Sequence, residues 1–329
     1  MVTKKTTKLL TVSRDFKGQR VDYWLKKNIS FVSYPTLCKL LRKGIVRVNG
    51  RRVKNNTVLK IGDKINFTRI IKEDVNLNKK NKYNEKFAEF IEKLVVYKDK
   101  FKIVLNKPAG LAVQGGTNVK LNIDMMLDSL KFNLEERPKL VHRIDKQTSG
   151  LLMIARSLNS SRYYGELFKN KEIEKIYLAL VHGRLRHKVA KIDFQTGTKK
   201  SLSSITLYKV LAENNELSLL VLKPITGRKH QIRHHLNSLG NQIYGETKFK
   251  SSINLEFIKV AKDLHLHALS LKFQEQDKSV KKIVAPLPDF FVRTLGENGF
   301  ENDLTNYDLE FLDSENFKLI NKWLKLPRL

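Results

Sequence analysis

The sequence predicts an α+β fold with a mixed, largely antiparallel sheet. Two pairs of predicted strands, near residues 95–105 and 203–223, are joined by short connections. Short connections require antiparallel pairing, because a parallel crossover needs a dozen or more residues. Apolar residues also recur at helical spacing in separate segments. The pattern therefore favours α+β over a βαβ nucleotide-binding fold.

The composition indicates a globular protein that binds a polyanion. The chain has 329 residues, 41% of them hydrophobic, which allows two domains and a sizeable core. Its formal net charge is +30. Such a charge repels itself in a compact state, and a polyanionic partner would relieve that repulsion. RNA, DNA and an anionic membrane surface are the candidate partners.

Several classes of protein are disfavoured by what the sequence lacks. Cys38 is the single cysteine, which excludes a disulfide framework and a multi-cysteine zinc site. The N-terminal residues contain no apolar stretch typical of a signal peptide. A run of about 18 apolar residues, as a transmembrane helix requires, is not found. We expect a cytoplasmic protein.

Residues 8–70 predict a small basic domain. Helices are expected in RVDYWLKKNI (20–29) and in PTLCKLLRKG (35–44), which ends at a glycine typical of a C-cap. IVRVNGRRV (45–53) predicts two strands around an Asn-Gly turn, and GDKINFTRI (62–70) predicts another strand. Within this region seven cations form a strip that is either a phosphate-binding surface or a solvated charged face: Lys39, Arg42, Lys43, Arg47, Arg51, Arg52 and Lys54.

The rest of the chain divides into three segments. Residues 71–92 are polar and aperiodic, which predicts a linker. Residues 93–295 predict the larger domain, and residues 296–329 a C-terminal extension that ends in a helix. In the larger domain, helices are expected in NSSRYYGELFKN and RKHQIRHHLNSLG. Strands are expected around Lys98-Asp99-Lys100 and in LVHRI, LLMIAR, KIYLALVHG, SITLYKVLA, LSLLVLKPI and LHLHALSLKF.

Asp145, in the stretch HRIDKQTSG, is the residue most suggestive of chemistry. It lies between Arg143 and Lys146 and just before a turn. A carboxylate there opposes nucleic-acid affinity, so it is either a member of a weak surface salt bridge or a reactive group. Neighbouring cations favour its ionised form, and an ionised carboxylate acts as a nucleophile or base.

Four separated motifs resemble those of the RluA-type pseudouridine synthases. HRIDKQTSGLLMIAR (142–156) resembles their catalytic motif, and NKPAGLAVQGG (106–116), KIYLALVHG (175–183) and TGRKHQIRHHL (226–236) resemble the others, in the right order. Residues 8–70 resemble the S4 RNA-binding domain. This combination is most similar to the RluC-type members, which act on large-subunit ribosomal RNA.

The resemblance implies that a uridine is flipped out, its glycosidic bond is broken and its C5 is joined to the ribose. Asp145 is then the essential catalytic residue, and whether it attacks the sugar, attacks the base or removes a ribose proton stays open. Tyr177 is expected against the uracil rather than as an ordinary core tyrosine. Arg233 is expected to pair with the aspartate, with Arg228 as a second candidate or a phosphate ligand. Arg143 would fill the space that the flipped base leaves.

The resemblance also implies how RNA is held and what is not required. Substrate contacts are expected from the helix and hairpin cations Lys39, Arg42, Lys43 and Arg51. His230 and His234 are spaced as zinc ligands, but no third ligand is evident, so no metal is expected. His265 and His267 are interpreted as packing or RNA-contact residues. Isomerisation requires no cofactor.

Three functions remain open at this level. The first is a large-subunit ribosomal RNA pseudouridine synthase, and the second has the same chemistry on transfer RNA or another ribosomal site. The third is a non-catalytic RNA-binding ribosome-assembly factor. Such a factor would not need Asp145, Tyr177 and Arg233 together. We expect ribosomal RNA as the partner, no DNA or membrane, and a monomer.

Overall fold

A computed structural model describes residues 8–13, 16–28, 34–67, 87–115, 119, 121–196, 202–249 and 262–300. The chain divides into two compact units, Met1–Tyr83 and Asn84–Leu329. None of the described helices has the length and apolar character that crossing a bilayer requires.

The first unit contains a three-stranded antiparallel sheet and two helices. The sheet has the order β1-β3-β2, formed by Lys8–Thr11, Lys64–Phe67 and Val46–Val48. Helices α1 (Val21–Asn28) and α2 (Tyr34–Lys43) confirm the two predicted helices. Their apolar faces share one buried cluster with the strands, including Trp24, Leu37 and Ile65.

The predicted hairpin of the first unit forms only in part. Asn49 and Gly50 have φ values of 49° and 75°, as a type I′ turn requires. The prediction of a second strand after the turn is wrong, because only an isolated bridge joins Val48 to Arg51. Strand β2 instead pairs with the later strand β3. Residues 68–70 of the predicted third strand lie outside the described residues.

The second unit is built on one mixed, largely antiparallel sheet, as predicted. Along the sheet the strands follow the order β4-β5-β7-β12-β8-β11-β10-β9, and β6 and β13 pair with β7 and β12. The pairing of β7 with β12 is parallel. The strands are β4 (Val95–Lys98), β5 (Lys102–Lys107), β6 (Lys139–Leu140), β7 (Ser149–Ala155), β8 (Glu174–His182), β9 (Val189–Thr196), β10 (Leu202–Glu213), β11 (Leu217–Pro224), β12 (Leu266–Gln274) and β13 (Val280–Val284).

Helices cover both faces of this sheet. They are α3 (Ile123–Met126), followed by a 3₁₀ turn (Leu127–Leu130), α4 (Leu158–Asn170), α5 (Gln231–Ser238) and α6 (Asp289–Glu297). Alternate residues of a strand point to opposite faces. In β8, Ala179 and Val181 pack with α5, whereas Leu178 and Leu180 pack with α6. Two-sided burial explains the near-continuous apolar runs in the sequence.

Three predicted boundaries differ from the structure. LVHRI is not a strand beyond Leu140, so the segment that carries Asp145 is irregular. Residues 87–93 are helical and Ile91 is fully buried, so the predicted linker, 71–92, ends too late. Leu295 and Phe300 are buried in the core, so the second unit extends past residue 295. Residues 71–86 and 301–329 lie outside the described residues.

Candidate active site

Asp145 lies in a turn that leads directly into the centre of the sheet. The Thr148 amide donates to the Asp145 carbonyl at 3.2 Å, and β7 begins at the next residue. Gly150 has a φ of +105°, and a Cβ there would lie 2.3 Å from the Ala268 carbonyl oxygen. Only glycine therefore lets β7 and β12 approach so closely, which fixes where the aspartate turn leaves the sheet.

Lys107, at the end of β5, supports this turn, and the sequence interpretation missed it. The side chain is fully buried. Its Nζ donates to the carbonyls of Pro108 (2.8 Å), Leu111 (2.9 Å) and Lys146 (3.2 Å). Burial lowers the pKa of Lys107 to about 7, and the Asp145 carboxylate opposes that shift. A lysine inside the apolar run KIVLNKP was the available signal.

The loop before α5 is held in place by one buried glutamine. The Oε1 of Gln231 accepts from the Thr226 hydroxyl at 2.7 Å and from the Arg228 amide at 3.0 Å. Its Nε2 donates to the Ile205 carbonyl and the Thr206 hydroxyl, both at 2.9 Å. Two of these hydrogen bonds join Gln231 to the loop and two join it to β10, so the first residues of α5 have a fixed position.

His230 contacts the aspartate directly. Its Nδ1 lies 2.8 Å from the Asp145 Oδ2, with 15% and 25% of the two side chains exposed. His230 adopts a left-handed φ of 55° at the N-cap of α5. The histidine that the sequence offered as a zinc ligand is thus a partner of the carboxylate. In the described part of the chain, no group of three His, Cys, Asp or Glu residues is placed to hold a metal ion.

Arg233 lies next to the site but pairs with a different acid. Its Nε and Nη2 each donate to Glu246 at 2.6 Å, and both side chains are almost fully buried. Burial alone would raise the pKa of Glu246, but the hydrogen bonds from Arg233 lower it overall. The prediction that Arg233 pairs with Asp145 is therefore wrong. Arg233 contacts His230 instead, at 3.4 Å.

Tyr177 lies on β8, where it packs against the two apolar clusters on either side of it. Burial, and secondly the Asp145 carboxylate, raise the pKa of its phenol. The hydroxyl therefore stays protonated at neutral pH, and Tyr177 offers a ring face and a hydrogen-bond donor rather than a base.

One cavity of about 370 Å³ in the second unit is lined by all five of the site residues that were predicted there. Asp145, Tyr177, Arg233, Arg143 and Arg228 all line it, and Arg143 and Arg228 are exposed. His142 and Phe168, whose rings stack at 4.1 Å, also line the cavity. Three lysines at the end of α4 and the start of β8 complete the lining: Lys169, Lys171 and Lys175. Cations and aromatic faces around one acid suit a flipped, phosphate-linked base.

The predicted RNA-contact residues of the first unit lie on α2 and just after β2. Lys39, Arg42, Lys43 and Arg51 are all exposed. Arg42 also lines a groove of about 580 Å³ together with Arg52, Lys54 and the thiol residue Cys38. The other cation of the strip, Arg47, is tied by its guanidinium to the Gly44 and Gly50 carbonyls.

The two remaining histidines of interest are packing residues. His265 and His267 are almost fully buried, and His265 bonds Thr294 Oγ1 at 2.9 Å. Ser149 Oγ lies 2.9 Å from the Nδ1 of His267. Their burial rules out direct RNA contact in this structure, so the packing interpretation is confirmed.

The sheet and its helices define the pseudouridine synthase fold. The solved structure of human RNA pseudouridylate synthase domain containing 4 matches with a TM-score of 0.58 at 26% identity. The match covers 65% of this chain and 96% of that one.

Sequence comparisons identify the family. The family model described as RNA pseudouridylate synthase matches residues 101–238. A ribosomal large subunit pseudouridine synthase C of Buchnera aphidicola is 31% identical, over 89% of this chain and 98% of its own length. The protein of the same name from Rickettsia conorii is 34% identical, over 84% and 97%. The chain therefore belongs to the RNA pseudouridylate synthases, a family of isomerases.

Proposed function

We propose that this enzyme converts specific uridines of large-subunit ribosomal RNA to pseudouridine, with Asp145 as its essential catalytic residue. The observation that carries the proposal is the different surroundings of the two oxygens of the Asp145 carboxylate. Asp145 lines the cavity, its Oδ2 is held by His230, and its Oδ1 has no hydrogen-bond donor within the described residues. One oxygen is thus fixed by the protein while the other is available to a substrate.

The cavity suits a reaction that breaks one bond and forms another. The bond between uracil N1 and ribose C1′ breaks, the base turns, and C5 bonds to C1′. The C5 proton is lost and N1 gains a proton, so the atoms balance without an oxidant or a reductant. An ionised Asp145 serves as the nucleophile or the base in this sequence. Its position between β7 and α5 holds it at the cavity wall throughout.

The neighbouring residues have distinct proposed roles. Tyr177 places a protonated phenol and its ring against the uracil. Arg143, exposed at the cavity, fills the gap that the flipped base leaves in the RNA, and Arg228 binds a flanking phosphate. Arg233, which is neutralised by Glu246, supports the cavity wall and His230 rather than the aspartate.

Ribosomal RNA as the substrate is supported by the relatives and by the first unit. The relatives are named as acting on the large ribosomal subunit, and their matches extend over 84–89% of this chain. Residues 8–70, within the first unit, are proposed as an S4-like RNA-binding domain. Its exposed cations on α2 and after β2 would contact phosphates of structured RNA. A cytoplasmic monomer fits this substrate.

The test is to map pseudouridines in RNA from cells that lack the gene and from cells in which it is restored. We expect particular large-subunit positions to revert to uridine and to be modified again on restoration. Loss of pseudouridine from transfer RNA alone would reassign the substrate. An unchanged map in all RNA classes would contradict the proposed activity.

A further inference from the structure

His230 lies between a cation and the catalytic carboxylate, and this arrangement indicates which of its ring nitrogens carries the hydrogen. Its Nε2 lies 3.0 Å from the Lys248 Nζ, and its Nδ1 lies 2.8 Å from the Asp145 Oδ2. A lysine ammonium group is a hydrogen-bond donor only, and a carboxylate is an acceptor only. Nε2 therefore accepts from Lys248. Nδ1 lies between the Asp145 carboxylate at 2.8 Å and the Arg233 Nη1, also a donor, at 3.4 Å. Because the contact with the carboxylate is much the shorter, the geometry assigns the proton to Nδ1, which donates it to Asp145.

The same buried acid holds both ends of this arrangement. Glu246 Oε1 accepts from the Lys248 amide at 2.7 Å, and the Glu246 carboxylate also binds Arg233 on α5. The loop that carries Lys248 and the helix that begins after His230 are thereby fixed to each other. Phe249 closes the contact, with its ring 5.6 Å from the His230 ring in an edge-to-face arrangement.

We infer that His230 is a positioning residue for Asp145, and that Lys248 selects the histidine tautomer that this role requires. The inference deepens the proposed function and rests on it for the identity of the reaction. His230 orients the carboxylate so that Oδ1 points to the reacting nucleotide. It thus performs the orienting role that the sequence had led us to expect from Arg233.

The first test reads the tautomer and needs no activity. Neutral histidine in water prefers the proton on Nε2, so the inferred state is the less common one. Nitrogen-15 spectra of the full-length protein labelled at histidine are expected to show His230 with a protonated Nδ1 and an unprotonated Nε2. Lys248→Met is expected to shift this ratio towards the Nε2–H form. A His230 signal with Nε2 protonated in the wild type would overturn the inference, whatever RNA the enzyme modifies.

The second test exploits the shapes of two amides. An asparagine amide nitrogen superimposes on histidine Nδ1, whereas a glutamine amide nitrogen superimposes on Nε2. Asparagine also tolerates the left-handed φ of 55° at this position. His230→Asn is expected to keep a single-turnover rate within a few-fold of wild type. His230→Gln is expected to lose about 10²-fold, because the carboxylate loses its alignment.

RNA affinity and a matched histidine separate positioning from structural damage. The dissociation constant for RNA and the thermal midpoint are expected to be equal in the two amide variants. His234, exposed one turn along α5, provides the control, and His234→Asn should leave the rate unchanged. Equal rates for His230→Gln and His230→Asn would overturn the inference, since an orienting bond through Nδ1 demands a difference between them.

Discussion

The cationic surface of the first unit and the Asp145 site of the second unit use charge in opposite ways. The surface collects its cations from residues 39–54, and the side chains are exposed. At the Asp145 site, contributions come from residues as far apart as Lys107 and Lys248, and most of their polar atoms are paired. Exposed charges attract a polyanion without fixed geometry, whereas paired and buried groups hold one carboxylate in place.

RNA affinity and catalysis tolerate different amounts of displacement. A phosphate contact works over several side-chain conformations, so losing one cation weakens binding in proportion. A catalytic carboxylate works in one orientation, so a small displacement has a large cost. We therefore expect changes at the Asp145 site to affect the rate, and changes at the first unit to affect the dissociation constant.

The largest effect is expected at the carboxylate itself. Asp145→Asn keeps the shape of the side chain but removes the nucleophile or base, and should lower the rate by about 10³-fold or more. RNA affinity should stay equal or rise slightly, because a negative charge is lost from a cationic cavity. Tritium release from C5-labelled uridine measures the rate. Asp277→Asn, in an exposed turn, is the control, and a rate for Asp145→Asn within a few-fold of wild type would contradict the assignment.

Two buried lysines on β5 separate a positioning role from a purely stabilising one. Lys107 binds the aspartate turn, whereas Lys102, at the other end of the strand, is paired with Asp99 and Glu275 at 2.5 Å each. Lys107→Met should slow the folded enzyme about 10²-fold. Lys102→Met leaves two acids without their cation and should lower the unfolding free energy by roughly 3 kcal/mol.

Urea unfolding and single-turnover rates on the two lysine variants distinguish the roles. Both variants are expected to be less stable than the wild type, so stability alone does not separate them. Rates per folded molecule should fall for Lys107→Met only. A normal rate for that variant would mean that the hydrogen bond from Lys107 to the Lys146 carbonyl does not position Asp145.

A smaller effect is expected from the first unit. Replacing Lys39, Arg42 and Lys43 by glutamine should weaken RNA binding and reduce the salt slope by about 2, at roughly 0.7–0.9 per lost phosphate contact. The rate at saturating RNA should not change. The matched control replaces three exposed lysines of the same unit outside the strip, Lys17, Lys60 and Lys64. Equal slopes for the two triple variants would show that only net charge matters.

The smallest effect concerns acid stability. Burial lowers the pKa of His142 to about 3, and that of His235 and His267 to about 4. The unfolded chain binds protons near pH 6.5 and the folded chain does not, so the unfolding free energy should fall as the pH drops from about 6.5 to about 4. His235→Gln should reduce that loss by on the order of 1 kcal/mol.

Urea unfolding across this pH range measures the slope. His187, which is exposed, gives the control variant His187→Gln, whose slope should match that of the wild type. A slope unchanged by His235→Gln would contradict the expectation that His235 stays neutral when buried.

Local patterns determined most of the elements. Both helices of the first unit, the hairpin of β4 and β5, helix α4 and the strands β8, β10, β11 and β12 follow from periodicity and turn residues that are adjacent in the chain. Strand β9 was not predicted. One failure arises where a distant segment competes. The second strand of the predicted hairpin is absent because β3 provides a better partner for β2. LVHRI is a strand only at Leu140, and its remaining residues are irregular.

The sequence by itself determined five of the residues that line the site, and the tertiary structure decided how they are paired and which further residues join them. Asp145, Tyr177, Arg143, Arg228 and Arg233 were predictable because each lies in a recognisable motif, and all five line one cavity. The partners were not predictable. Arg233 pairs with Glu246, and Asp145 pairs with His230. Ion pairing depends on distance and burial after folding. The positions of acidic and basic residues far apart in the chain therefore do not indicate which of them will pair.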